Sequence, residues 1–272
     1  MVSHFLWLVP VGFLVGAFGT LVGAGGGFLL APILLLVYPH ESPEVLTSIS
    51  LAVVFANAFS GSLAYGRMRR IDFRSGTLLS LATVPGAVLG ALFTYAIPRA
   101  LFDGLFGAFM VAVAIRLLAR PRVAGDPSTR GGRVRRTLTD ATGTTYTWSY
   151  NRALALAISF GVGFVSSVLG IGGGVVHVPA LAGPLGFPVH VATATSHYML
   201  AIMAGTGTLA HVAAGAFHHG VRRTIALTIG ALIGAQLGAR LSARVHGTRV
   251  MRALAVALLI AGARILLLAF RV

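Results

Sequence analysis

The chain alternates long apolar runs with short polar gaps that carry arginine. The apolar runs cover approximately residues 5–37, 46–65, 76–97, 101–119, 152–182, 191–214, 223–243 and 250–270. A helix needs about 20 apolar residues to cross the ~30 Å hydrocarbon core of a bilayer, so the pattern predicts eight membrane segments. The first and fifth are too long for a simple crossing, since thirty-odd helical residues would reach on the order of 45–50 Å. Each also carries a glycine cluster near its middle, so each is expected to be broken or folded back. The one substantial polar stretch, 120–151, holds Arg120, Arg122, Arg130, Arg133, Arg135 and Arg136 among Gly, Thr and Ser. It predicts a flexible connecting loop between an N-terminal unit, 1–119, and a C-terminal unit, 152–272. Within it, TYTWSY at 145–150 reads as a short strand or as an interfacial aromatic anchor, the anchor being preferred.

The two units align. LVGAGGGFLLAPIL (21–34) matches VLGIGGGVVHVPAL (168–181), placing Gly23, Gly25, Gly26, Gly27 and Pro32 on Gly170, Gly172, Gly173, Gly174 and Pro179. Farther along, Ser50, Gly61, Gly86, Gly90 and Arg116 fall on Ser196, Gly207, Gly230, Gly234 and Arg264. The expected fold is an all-α polytopic membrane protein of two homologous four-segment repeats. If segments one and five cross fully, the repeats are parallel. If they are re-entrant, three crossings remain per repeat and the repeats are inverted. Arginine distributes identically under both, but the excess length of the broken segments favours re-entrant hairpins and inverted repeats.

Composition supports the membrane reading. Of 272 residues, 56% are hydrophobic and only 10% charged, with a mean hydropathy of +0.88; a water-soluble domain of this size needs far more charge to cover its surface. The formal charge of +15 comes from 21 basic residues, all arginine. They sit between apolar runs, as in cytoplasmic membrane loops, and not on a folded polar face as in a nucleic-acid binder. The expectation is a multi-pass protein of the inner (plasma) membrane with its Arg-rich loops in the cytoplasm. The first segment is read as a retained membrane segment and not a removable signal. Absent cysteine excludes disulfides, thiolate metal sites and thiol catalysis. No catalytic motif, cofactor motif, metal motif or P-loop appears, so energy for transport must come from a gradient or a partner.

The two Gly-x-Gly-Gly-Gly runs abandon helix propensity at about 1 kcal/mol per glycine, in a solvent where unsatisfied backbone groups are expensive. Such backbone survives only when buried in protein or lining a wet cavity. The helix resuming at Phe28 or Val175 points free N–H groups and its positive dipole end at the break, which suits an anion. Glycine also admits a ligand close to the backbone. The alternative, close helix packing of the GxxxG kind, fits Gly86/Gly90 and Gly230/Gly234/Gly238.

GAGGGFLLAP and GIGGGVVHVP, each opening a four-segment half, resemble the paired signatures of the TauE/SafE sulfite-exporter family. LTSISLAVVFANAFSGSLAYG, PGAVLGALF and GALIGAQLGARL continue the resemblance over almost the whole chain. It implies export of sulfite, small organosulfonates or other small organic anions. Where the family often has His before the Arg-rich turn of the first repeat, this chain has Tyr65, while the second repeat keeps His211. The resemblance therefore carries no symmetric role for that position.

Helical spacing puts Ser50, Asn57, Gly61 and Tyr65 along one face of segment two, and their counterparts in the second repeat are Ser196, Met203, Gly207 and His211. A polar stripe in an apolar helix faces the bundle or a cavity. Asn57 reads as a ligand contact or an interhelical hydrogen bond. His177, His197 and His211 suit proton coupling because imidazole titrates near neutral pH; buried imidazoles held by hydrogen bonds are the plainer reading. Gln236 suits packing and substrate contact equally. Arg116, Arg240 and Arg264 read as snorkelling cations or, turned inward, as sulfonate partners. The leading expectation is a secondary-active exporter of sulfite or small organosulfonates working by alternating access. The alternatives are a proton- or sodium-coupled importer of another small anion and an anion channel; a homodimer is compatible with each.

Overall fold

The computed structural model describes residues 6–119, 133–216, 220–242 and 247–269. In chain order these form α1 (Leu8–Val22), α2 (Gly27–Val37), α3 (Pro43–Arg67), α4 (Phe73–Thr94), α5 (Arg99–Leu118), β1 (Arg133–Thr139), β2 (Thr145–Asn151), α6 (Arg152–Leu169), α7 (Gly174–Ala182), α8 (Val189–Ala213), α9 (Val221–Leu241) and α10 (Gly247–Ala269). Helices α3, α4, α6 and α9 are long and apolar enough to cross a membrane. Their outer faces expose Leu63, Leu81, Leu89, Phe160 and Ile233, side chains that only a bilayer covers without cost.

Each of the two overlong segments is two helices separated by its glycines, as its length predicts. Gly23 and Gly170 end α1 and α6 in the left-handed conformation, with φ of 79° and 64°, which costs glycine nothing. Ala24 and Gly25 then donate back to the Gly19 carbonyl, and Ile171 to Ser166, so the orphan carbonyls of the last turn are satisfied.

Glycine seams set the packing. Gly12 and Gly16 of α1 lie against Leu227 and Ala231 of α9, while Gly230, Gly234 and Gly238 lie against Val9, Phe13 and Ala17. In the same way Gly86 and Gly90 of α4 lie on Phe160 and Phe164 of α6, and Gly163 on Thr83. In both pairs the residue numbers rise together, so the helices run parallel. Bare backbones in close contact supply the van der Waals attraction that lipid cannot; here the packing reading of these glycines holds. At the centre α3 crosses α8 the other way: Tyr65 meets His197, Phe55 meets Gly205 and Leu51 meets Gly207. Outside them α5 packs on α10 through Gly107 and Gly262.

These contacts fix the chain direction. The α3–α4 turn, the strands and the starts of α6 and α8 share one end, where Asp72 N–H donates to Thr195 and Phe73 meets Tyr198 edge to face. The starts of α3, α5 and α9 share the other end, tied by Arg223 to Glu41 at 2.7 Å and by Arg99 to the Glu41 carbonyl. Because α1 runs parallel to α9, it enters from this far end, and α2 returns there to meet α3. Because α6 runs parallel to α4, it enters from the strand end, and α7 returns there to meet α8. Both broken segments are thus helical hairpins that enter the bundle from opposite ends.

The polar stretch departs from expectation. Residues 120–132 lie outside the described residues, but 133–151 are an antiparallel β-hairpin with Val134 opposite Tyr150 and Arg136 opposite Trp148. The fold is therefore not purely helical, and TYTWSY is a strand instead of an anchor. Its alternating residues Trp148 and Tyr150 are buried against Phe187, Leu79 and Leu181, so protein and not the lipid interface takes the aromatics. Asp72 fastens the hairpin to α4: it accepts from Ser75 N–H at 3.1 Å as an N-cap and from Arg136 through two bonds of 2.5 and 3.1 Å. Asp140 anchors the turn, its carboxyl pulled down to about 2 by the Thr142 hydroxyl, the Thr142 and Thr144 N–H groups and Arg70, against the opposing effect of burial.

Burial raises the Asp72 carboxyl, but Arg136 and Ser75 more than offset that and hold it below the ordinary carboxylate range. A depressed folded pKa stabilises above the unfolded value, and the gain disappears as pH falls through the folded one. Asp72→Asn keeps the cap but loses the charge, and is expected to loosen hairpin docking by about 1.5–3 kcal/mol at neutral pH. Hydrogen exchange across 133–151 should show this difference and its disappearance at acid pH. A second prediction concerns the seams. Gly86→Leu would drive a side chain into the Phe160 carbonyl and should cost about 3 kcal/mol or more. Gly161→Ala on the open face of α6 should be neutral or stabilising by up to ~1 kcal/mol. Denaturant titration in detergent measures both.

Candidate functional site

The two breaks meet tip to tip in the middle of the molecule. A Cβ on Gly27 would strike the Ile171 carbonyl, and one on Gly174 would lie 2.5 Å from the Ala24 Cα and 2.6 Å from the Gly23 oxygen. Each glycine run is therefore covered by the backbone of the other. Gly25 and Gly172, at φ of 74° and 63°, both face the same pair of side chains, Val54 of α3 and Leu200 of α8. These two fully buried residues shut the centre. Thr193 packs on Gly23 and Thr47 on Gly170, and the Ser50 hydroxyl donates to the Gly170 carbonyl at 2.5 Å.

The helices that resume after the breaks point their N-termini at this meeting place. The first backbone bonds into α2 run from Leu29 and Leu30 to the Gly26 carbonyl, and those into α7 from Val176 and His177 to the Gly173 carbonyl. The N–H groups of Gly27, Phe28 and Val175 precede any helical acceptor, which leaves partial positive charge at both tips.

A polar network lies beside the first tip. Thr20 of α1 donates to Asn57 Oδ1 at 3.1 Å and lies 3.3 Å from His197 Nε2. Tyr65 donates to the Thr20 carbonyl at 2.7 Å and sets its ring edge-on to His197, 5.7 Å between centroids. Thr20 has one proton and gives it to Asn57, so His197 Nε2 must be the donor to Thr20. Asn57, Ser196 and His197 are almost wholly buried, yet Asn57 Nδ2, Ser196 Oγ and His197 Nδ1 have no hydrogen-bond partner among the described residues. Buried polar groups are nearly always paired, and here Asn57 and His197 each keep an unpaired atom within one network, with Ser196 next to His197 in the chain.

The second tip has a different polar lining. His177 is buried beside Gly173, and its two ring nitrogens have no partner among the described residues; Ser166 and Ser167 hydroxyls are likewise unpaired. His211 accepts or donates across 3.3 Å to Tyr95, leaving Nε2 free. The two clusters lie on opposite sides of the closed centre.

The structure gathers Gly23, Gly25, Gly26, Gly27, Gly170, Gly172, Gly173, Gly174, Ser50, Asn57, Ser196 and His197 around the tips, with His177 and His211 behind the second. It places others elsewhere. Gln236 spends its amide protons on the Ser60 carbonyl and hydroxyl, both at 2.8 Å, and so ties α9 to α3. Arg116 and Arg264 are exposed on α5 and α10, as snorkelling requires. Thr20, the hub of the network, went unnoticed in the sequence, although it aligns with Ser167; a lone threonine in an apolar run carries no visible signal. Val54 and Leu200 were equally silent, being ordinary apolar residues. Among the described residues no cluster of His, Asp and Glu could hold a metal ion.

The chain matches the family model described as "Sulfite exporter TauE/SafE" over residues 8–265. It is similar to "Probable membrane transporter protein YunE" of Bacillus subtilis, 32% identical over 217 residues that cover 78% of this chain and 79% of that protein. A "Probable membrane transporter protein" of Methanocaldococcus jannaschii is 29% identical over 222 residues, 78% of this chain and 75% of its own. Another, of Haemophilus influenzae, is 25% identical over 205 residues, 74% and 69% respectively. No solved structure matches the chain. With the family model spanning nearly the whole chain and the relatives named as membrane transporters, the chain belongs to the TauE/SafE family of membrane transporters.

Proposed function

We propose that the protein exports sulfite or small organosulfonate anions across the inner membrane by alternating access, with the anion held between the two glycine tips. One observation carries the reading: the N-termini of α2 and α7 meet tip to tip, and beside the first tip Asn57, Ser196 and His197 keep polar atoms uncommitted. Amide and hydroxyl protons and helix dipoles are the donors a compact oxyanion needs, and they cost less to bury empty than a guanidinium would. The family's printed description supports sulfite as the first ligand to try.

The two units are read as an inverted duplication. Swapped pairs support this: α1 packs on α9 as α6 packs on α4, and aligned residues Thr47 and Thr193, or Val54 and Leu200, occupy matching places at the breaks. In inverted-repeat carriers a rocking of one set of helices against the other opens one end and closes the other around a fixed site. Val54 and Leu200 close the centre in the present arrangement and must part for an anion to enter. The arginines of the α3–α4 turn and of the strand region assign that end to the cytoplasm by the positive-inside rule. His197, buried against Thr20, gives the site an imidazole that can carry a proton. Protonated, His197 is a cation beside the anion, which couples anion and proton movement.

Proteoliposomes loaded with [35S]sulfite or taurine test the reading. Asn57→Ala removes a donor to a charged ligand, a loss of about 1.5–3 kcal/mol, so the apparent affinity should fall roughly tenfold to a hundredfold. Gly172→Val should abolish transport while Gly161→Ala preserves it. His197→Gln should transport without acceleration by an imposed pH gradient. Full activity of folded Asn57→Ala and Gly172→Val proteins would remove the site from the tips. Accumulation against a gradient in the inward direction would replace export by import, and single-channel currents would replace a carrier by a channel.

A further inference from the structure

A basic concavity lies outside the bundle centre, where the β-hairpin meets the starts of α4 and α6. A cavity of about 400 Å³ opens there, lined by Arg74 and Ser75 of α4, Arg135 and Arg136 of β1, Tyr150 of β2 and Arg152 of α6. No acidic side chain lines it. Arg136 is held by Asp72, and Tyr150 by its bond to Ser75 at 2.9 Å, so the wall is rigid. Arg74, Arg135 and Arg152 make no ion pair or hydrogen bond among the described residues. Three unpaired guanidiniums around one concavity repel each other unless an anion sits between them, and their planar forks match phosphate oxygens.

Position identifies the source of the phosphate. The cavity sits at the first turns of two bilayer-crossing helices, so it lies at headgroup depth. Leu78 of α4 lines the cavity, and about one turn farther along the same helix Leu81 is 68% exposed, so the two present an apolar track for an acyl chain. We propose that this pocket binds the phosphodiester headgroup of an anionic phospholipid and that the lipid clamps the β-hairpin to α4 and α6. A free phosphate would fill the arginine cage but leave the leucine track unused. The site is separate from the tips, and its occupancy does not depend on what the transporter carries.

The full-length protein has two tryptophans, and with Trp7→Phe the emission of Trp148, inside the hairpin, reports the pocket alone. In phosphatidylcholine nanodiscs, titration with short-chain phosphatidylglycerol should give a saturable change. Short-chain phosphatidylcholine should give none, and inorganic phosphate should compete only at much higher concentration. Removing two cations near an anionic headgroup should weaken phosphatidylglycerol binding by at least about tenfold in R74Q/R152Q, while Arg240→Gln, at the end of α9, leaves it unchanged. If the double variant does not fold, Arg135→Gln, on the exposed face of β1, is expected to show the same direction of loss. Equal binding of both phospholipids, or undiminished binding in the folded variants, overturns the proposal. Inorganic phosphate that displaces the lipid at equal concentration overturns its lipid source.

Discussion

Backbone left without helical partners in the interior of a membrane must be covered by something, and here each break is covered by the other. Every other feature of the bundle follows from that constraint. Unpaired amides at bilayer depth cost several kcal/mol apiece, so a glycine run cannot face lipid. Glycine is needed at Gly27 and Gly174 because two backbones approach within contact distance of each other, and any side chain would hold them apart. For two hairpin tips to meet, one must descend from each end, which sets α1 parallel to α9 and α6 parallel to α4. The glycine seams of those pairs then hold the hairpins in place. The central crossing of α3 and α8 supplies Val54 and Leu200 to fill what the glycines leave open.

The same constraint produces chemistry. A tip with no side chains presents N–H groups, and a polar network beside it can be poised without permanent charge. Thr20 organises that network: it gives its single proton to Asn57, lies 3.3 Å from His197 Nε2 and accepts the Tyr65 hydroxyl proton at its carbonyl. Its neighbours on the other side differ, with His177, Ser166, Ser167 and His211 in place of Asn57, Tyr65 and His197. The two tips share a backbone plan but not a side-chain lining, so a carrier working through them meets different groups as it opens to either end.

Much of this was legible in the sequence because length and periodicity speak directly to membrane physics. Segments of 33 and 31 residues, 5–37 and 152–182, cannot be simple crossings, and the structure breaks each into two helices at its glycines. Asn57, Ser196 and His197 stood out because polar side chains in apolar helices are expensive. The hairpin at 133–151 was missed for a specific reason: Tyr146, Trp148 and Tyr150 alternate as a strand does, but aromatic residues next to a membrane segment have the composition of an interfacial belt. Only their burial on Phe187 separates the two readings. Gln236 was ambiguous because an amide satisfies Ser60 as readily as it would a substrate. Thr20 could not be found, since its importance comes from Asn57 and His197, which arrive from two other segments.

The central claim is that an oxyanion sits where the two glycine tips meet. Selenite, the heavier analogue of sulfite, makes that claim visible by anomalous diffraction from crystals of the transporter. The account predicts a selenium peak within hydrogen-bonding reach of the α2 and α7 N-termini, beside Asn57 and His197, lost when sulfite is added in excess. A selenium peak confined to the exposed arginines, with none between the tips at saturating selenite, would contradict it.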